Sequence, residues 1–378
     1  MNATITLDKE LVFEVSLHAG RPDKHEGFSA ALFGRADRVP VVVQPGLYAM
    51  GLQGLSNQRF FREPDAFIHA SHNMATYFGF DWWSPVFDAY NIEAEALGQP
   101  LVWREGMEPW VDGDNLLLRE RSDLDRLAPP IPGQCGRMPF VLESYRRFAE
   151  LTGVSPVCAC CSPLTLAAQL RGTKTLIMDM YRDPAFVDRL LAFLSQEVVV
   201  PWIRKLIEVT GASAVVMWDA EARPPIMSPS LIRRFCLPHV EAVVRATSSS
   251  TCEVTDAASW DKVGAADPGD LLEIKAYAGR QKIGRVLNIP PTVMRADSAG
   301  QVVDAVCRLL EAGAQDGRFV LLMNHLPAGT PVEHVHAAVA AVRQFGHYPI
   351  RGNLDRQAFR NAQTIPFRQW VRRRGLTV

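Results

Sequence analysis

The chain has 378 residues, with 40 basic against 41 acidic side chains and a formal net charge of −1. A balance this close to zero gives no electrostatic drive toward nucleic acid or an anionic membrane, so a small molecule is the expected partner. Seven cysteines, an odd number, follow an N-terminus with charges and no continuous apolar run; this predicts reduced thiols in a cytoplasmic protein rather than a disulfide framework.

Residues 1–27 read as an extension, 28–350 as the folded body, and 351–378 as an arginine-rich tail, packed or solvated. No stretch reads as a membrane span. Within the body, RVPVVVQ (38–44), VSPVCAC (154–160), SAVVMWD (213–219), IGRVLNI (283–289) and RFVLLMN (318–324) are apolar runs of the kind that suits strands covered on both faces, as in a parallel sheet. Helices lie between them. Asp183-Pro184 supplies an N-cap and an N1 proline, apolar residues follow at Phe186, Leu190, Leu191 and Leu194, and Gly211 lies beyond the end. Ser228-Pro229 starts another helix, and Thr330-Pro331-Val332-Glu333 has capping-box spacing.

Strand and helix units repeated over this length predict an α/β fold, a (β/α)₈ TIM-type barrel with its active site at the C-terminal ends of the strands. A doubly wound sheet is the alternative, although neither GxGxxG nor GxxxxGK[ST] is present. In a barrel the strand ends carrying Cys158 and Cys160, Asp219 and Glu221, Cys252, Asn288 and His325 converge on one mouth. The stretch VCACCSPLT (157–165) packs three cysteines into four positions. Alternation places Cys158 and Cys160 on one side of the strand and Cys161 on the other. They are either a soft-metal or reactive-thiol site or small hydrophobes in a core.

The stretches FSAALFGRADRVPVV, FGFDWWSPVFDAYNIEAEALG (78–98), SPLTLAAQLRG (162–172), DPAFVDRLLAF (183–193), GASAVVMWDAEARPPIMSPSLIRRFCLPHV (211–240), RVLNIPPTVM (285–294) and GTPVEHV (329–335) occur in the order seen in the uroporphyrinogen decarboxylase superfamily. Over roughly residues 28–347 the chain resembles that superfamily, whose fold is a (β/α)₈ barrel. The resemblance implies one of two chemistries: cofactor-free decarboxylation of a tetrapyrrole, or zinc-dependent methyl transfer between corrinoids and thiols.

The decarboxylase pattern MRQAGRYL carries two arginines for substrate carboxylates; Val43 and Leu47 stand in their places here. Each lost charge-assisted hydrogen bond is worth about 1.5–3 kcal/mol, so a true uroporphyrinogen decarboxylase is disfavoured. The decarboxylase's essential aspartate corresponds to Asp88, whose alternative is a surface position. The methyltransferase His-x-Cys motif matches Ser250-Thr251-Cys252 without its histidine, and the late Gly-Cys pair matches Asn324-His325 without its cysteine.

The resulting expectation is a methyl- or alkyltransferase with a metal-activated thiol, zinc being held by Cys160, Glu221, Cys252 and His325. Any corrinoid would arrive on a partner protein. Asp88, Asp219, Glu221 and His325 are the acid–base candidates, and Tyr48, Trp218, Arg223 and Asn288 the substrate-binding ones. Two alternatives stand beside it: a decarboxylase or other lyase acting on a small non-tetrapyrrole carboxylate, and a non-catalytic ligand-binding barrel. His334 and His336 sit on different helix faces and receive no role.

Overall fold

The computed structural model describes residues 31, 34–85, 87–88, 90–223, 225–249, 253–258, 284–324, 326–361 and 364–376, with backbone alone for 253–258. Its strands are β1 (Val41–Val43), β2 (Trp82–Trp83), β3 (Leu101–Val102), β4 (Trp110–Val111), β5 (Val157–Cys161), β6 (Ala214–Asp219), β7 (Glu253–Ala258), β8 (Arg285–Asn288) and β9 (Phe319–Met323). All five predicted apolar runs form strands. They alternate with helices and pair in parallel, in the orders β2-β1-β9-β8 and β5-β6-β7; β3 and β4 form a separate antiparallel hairpin. The first strand lies beside the last, with Val41 opposite Leu321, which is the neighbour relation of a barrel.

Among the described residues the ring is not hydrogen-bonded all the way round, and side chains take over at one edge. The Ala159 N–H donates to Tyr145 Oη at 2.8 Å and the Cys161 N–H to Glu93 Oε1 at 3.0 Å. Tyr145 and Glu93 thus satisfy the donors on the β5 edge that a further strand would pair, as buried backbone groups require.

The predicted helix after Asp183 is present. Asp183 accepts from the Phe186 N–H at 3.1 Å, and the helical run continues through a π turn, Leu194–Val199, to Gly211 at φ 61°. A second π turn, Ile232–Cys236, follows the Ser228 cap. Both π turns precede prolines, Pro201 and Pro238, whose missing N–H interrupts the regular ladder. The capping box at Thr330 does not form: the helix Val332–Phe345 has Pro331 at its N-cap, and Thr330 Oγ1 is buried without a partner. The tail is docked in part. Phe367 and Trp370 pack edge-on to Tyr77, whose hydroxyl donates to the Ile365 carbonyl at 2.8 Å. No helix among the described residues is long and apolar enough to cross a membrane.

Candidate active site

The C-terminal ends of the strands open on a cleft of ≈ 660 Å³. Leu47 comes from the turn after β1, Tyr90 and Asn91 from the segment after β2, Gln169 from the helix Pro163–Arg171, and Leu326 and Pro327 from beyond β9. The remaining wall is Gly106–Val111, the turn and second strand of the β3–β4 hairpin. Its lining is aromatic and aliphatic with a few amides; Glu108 is the one ionisable acid or base among the described lining residues besides the Tyr90 phenol.

Two asparagines hold the hairpin in place. Asn57, only 1 % exposed, donates from Nδ2 to the carbonyls of Arg104 (2.7 Å) and Met107, and accepts at Oδ1 from the Gly106 N–H at 2.8 Å. Asn91 donates to the Pro109 carbonyl at 2.7 Å. Behind this wall Arg137 donates to both Asp88 oxygens, at 2.6 and 2.5 Å, and through Nε to Glu95 at 2.5 Å; Arg62 reaches Glu95 at 3.5 Å. Both guanidiniums lie over Trp103, at 4.5 Å (Arg62) and 5.0 Å (Arg137). Burial pushes the Asp88 carboxyl up and the Arg137 guanidinium opposes it; two matched N–H···O bonds hold the pair as carboxylate and guanidinium.

The structure places Asp88, expected as an acid or base, in a buried ion pair outside the cleft lining. It is 5 % exposed and clamps the segment after β2 to the start of the helix Met138–Thr152, while its neighbour Asn91 lines the cleft. Asp219 is likewise an internal hub. It is fully buried and accepts from the hydroxyls of Ser162 (2.5 Å) and Thr165 (2.8 Å), from the N–H groups of Glu221 (3.0 Å) and Ala222 (2.8 Å), and from Cys236 Sγ at 3.5 Å. It shapes the turn that presents Glu221.

Glu221 retains what a functional carboxylate needs. It is partly buried and its Oε2 makes no hydrogen bond of normal geometry; burial followed by the nearby Asp219 charge raises its carboxyl, against the opposing effect of Thr173 and Arg223. Arg223 Nε donates to the Ala220 carbonyl at 2.9 Å. Trp218 is half-buried at the end of β6, opposite Cys161. Asn288 accepts from the Asn324 N–H at 2.9 Å and leaves Nδ2 buried without a partner. Unpartnered buried polar atoms on Glu221 and Asn288 are the mark of groups that a ligand or water completes. Tyr48 carries the same mark, its Oη being buried without a partner; it is 3 % exposed, its ring lies 6.0 Å from Phe78, and burial, then Tyr77 and Glu333, raise its hydroxyl. None of Tyr48, Asp88, Trp218, Asp219, Glu221, Arg223 and Asn288 is among the residues that line the ≈ 660 Å³ cleft.

Of the four expected zinc ligands, Cys160 and Glu221 are described, and they do not lie together in a metal site. Cys158 and Cys160 share a face as expected, but it is the face covered by helices. Cys158 Sγ lies 3.5 Å from Thr210 Oγ1 of the helix Val200–Thr210, and all three cysteines are at most 1 % exposed in the apolar core. Cys252 and His325 lie outside the described residues; β7 begins at Glu253, and its mouth end is Ala258. Among the described residues no three His, Cys, Asp or Glu side chains converge as a metal site.

Sequence reasoning also passed over Glu93, fully buried beside Cys161 and pushed up to about 7 by burial. The Cys161 N–H and nearby Trp202 favour its ionised form, although Glu93 Oε2 and Trp202 Nε1 make no hydrogen bond of normal geometry. An acid among the apolar residues of a short helix was the available signal. Asn57, Glu108 and Trp110 had none, because their roles depend on a hairpin folding back across the mouth.

Comparison with known proteins agrees with this architecture. The family model for uroporphyrinogen decarboxylase (URO-D) matches residues 23–258, more than half of the chain. A uroporphyrinogen decarboxylase of Anaeromyxobacter dehalogenans (strain 2CP-C) is 24% identical over 337 residues, covering 82% of this chain and 95% of that protein. A solved methyltransferase from Methanosarcina mazei has the same fold, with a TM-score of 0.68 at 20% identity over 85% of this chain and 99% of the other. The parallel strand order, the mouth at the strand ends and the family match lead to one assignment: the chain belongs to the uroporphyrinogen decarboxylase family.

Proposed function

We propose that the chain is an enzyme that transfers a methyl or alkyl group on a small molecule, and that it does not decarboxylate a tetrapyrrole. The observation that carries this reading is the charge of the cleft. Leu47, at one of the two family arginine places, lines it, and no described lysine or arginine does. Val43, at the other place, is 1 % exposed inside β1. A polyanionic substrate would lose its hydration there without gaining paired cations. That a solved methyltransferase shares this fold supports transfer as the reaction class.

In this reading Leu47, Trp110, Val111, Leu326 and Pro327 exclude water from the reacting group, and the amides of Asn91 and Gln169 orient it. Glu221 lies outside this lining, just beyond β6; its raised carboxyl suits it to carry a proton only for a substrate that extends past the cleft. The acceptor is a thiol or a corrinoid delivered by a partner protein. No step is assigned to zinc.

The test is a paired assay. Protein incubated anaerobically with uroporphyrinogen should release no coproporphyrinogen. With a methyl donor and either a thiol or cob(I)alamin, methylated acceptor should accumulate by mass spectrometry. Steady turnover of uroporphyrinogen would overturn the proposal.

A further inference from the structure

One polar side chain of the cleft wall is fixed in orientation by what lies behind it. Asn91 lines the cleft, and its Nδ2 donates to Asp88 Oδ2 at 3.2 Å and to the Pro109 carbonyl at 2.7 Å. Both partners can only accept, because Arg137 holds Asp88 as a carboxylate and proline offers a carbonyl alone. Turning the amide over would set Oδ1 against two oxygens, so the network itself assigns the orientation. Both amide hydrogens are used, and Oδ1 is left over. That oxygen does not cap the helix Ile92–Ala96 beside it, accepts from no described residue, and, unlike Asn288 Nδ2, is not sealed from solvent.

The acceptor is also preorganised. Glu95 fixes Arg137, Arg137 fixes Asp88, and Asp88 fixes Asn91. Gln169, half-buried on the helix Pro163–Arg171, lines the same cleft with an amide that makes no hydrogen bond among the described residues. Leu47, Val111, Leu326 and Pro327 make the surrounding wall apolar. We infer that Asn91 Oδ1 is the specificity contact of this cleft, and that its ligand is an amide or alcohol presenting an N–H or O–H donor on an apolar body. A ketone, ether or carboxylate oxygen at that place meets oxygen and leaves Oδ1 desolvated without a partner, which a site built to receive a donor rejects. For binding this rests on the cleft alone; that the bound molecule is the substrate rests on the transfer reading.

The experiment titrates the full chain with benzamide and with acetophenone, which keeps the ring and carbonyl and replaces the amino group by a methyl of similar size, and follows the ligand NMR signals. Benzamide should bind roughly fivefold more tightly, the scale of one net hydrogen bond. Asn91→Leu should remove that preference. Gln169→Leu should weaken both probes alike and leave the ratio unchanged, since its amide can reach only what the two share. Because Asn91→Leu also loses the bond to Pro109, a crystal structure of the parent with benzamide is the second measurement: the amide nitrogen should lie within hydrogen-bond distance of Asn91 Oδ1. Equal affinities, binding of neither probe, a preference that survives Asn91→Leu, or a benzamide nitrogen turned away from Asn91 would overturn the inference. The two proposals fail separately. Alkyl transfer by a protein without the benzamide preference sinks the donor site alone, whereas the preference without transfer to any acceptor supports the site and sinks the transfer reading.

Discussion

Arg137→Met tests whether Asp88 is a structural clamp. The guanidinium makes three hydrogen bonds of 2.5–2.6 Å, two to Asp88 and one to Glu95, and its side chain and that of Asp88 are each 2 % exposed. Methionine fills much of the volume but strands the Asp88 carboxylate, which keeps only the Asn91 amide at 3.2 Å. Glu95 fares better, because it is more exposed and retains Arg62. Breaking a buried pair on one side costs about 3–5 kcal/mol, whereas replacing both partners with apolar residues is often close to neutral. Chemical denaturation followed by circular dichroism should therefore show Arg137→Met losing about 3–5 kcal/mol and Asp88→Leu/Arg137→Met recovering most of it. A single variant within about 1 kcal/mol of the parent, or a double variant no better than the single, would refute the clamp. An Asp88→Asn protein that keeps its stability yet loses turnover would return Asp88 to the chemistry.

Three further outcomes are expected. Cys160→Ser places a hydroxyl in the apolar layer and should cost about 1–3 kcal/mol while leaving metal content equal to the parent's; a loss of bound zinc from a fully folded variant would contradict the core assignment. Glu93, raised from 4.5 to about 7, contributes stability that is fully present below pH 4.5 and lost as pH rises through 7. At 1.36 kcal/mol per unit, the stability difference between the parent and Glu93→Gln should fall by about 3 kcal/mol across that window in denaturation curves, and a flat difference would refute it. Asn57→Ala removes the latch on the hairpin, at about 1 kcal/mol for each lost bond, and should speed hydrogen exchange at Gly106 and weaken cleft ligands; unchanged exchange would place the loop's order elsewhere.

Much of the scaffold was legible because its signals are local. Asp183 before Pro184 and Gly211 after Thr210 bound a helix through chemistry within a turn of each end, and apolar runs such as AVVMWD and FVLLM form buried parallel strands. Thr330 shows the limit of such reading, since capping spacing was present and the cap still went to Pro331. The site was less legible. The mouth at the strand ends follows from strand order, and the absence of cations at the family's arginine places could be read from Val43 and Leu47 directly. Its outer wall could not, because β3 and β4 are two residues each and carry no period to detect.

By itself the sequence determined that Cys158 and Cys160 share a face, because alternation along a strand is a property of the backbone. Only the tertiary structure decided which face it is. That depends on the helix Val200–Thr210 and on Tyr145 covering one side of β5 while the other looks into the barrel, and no residue within the strand encodes its cover. The same holds for Asp88. Its charge was plain, but whether it meets substrate or a guanidinium was settled by Arg137, 49 residues away, because a carboxylate taken out of water is held by whatever cation the fold brings to it.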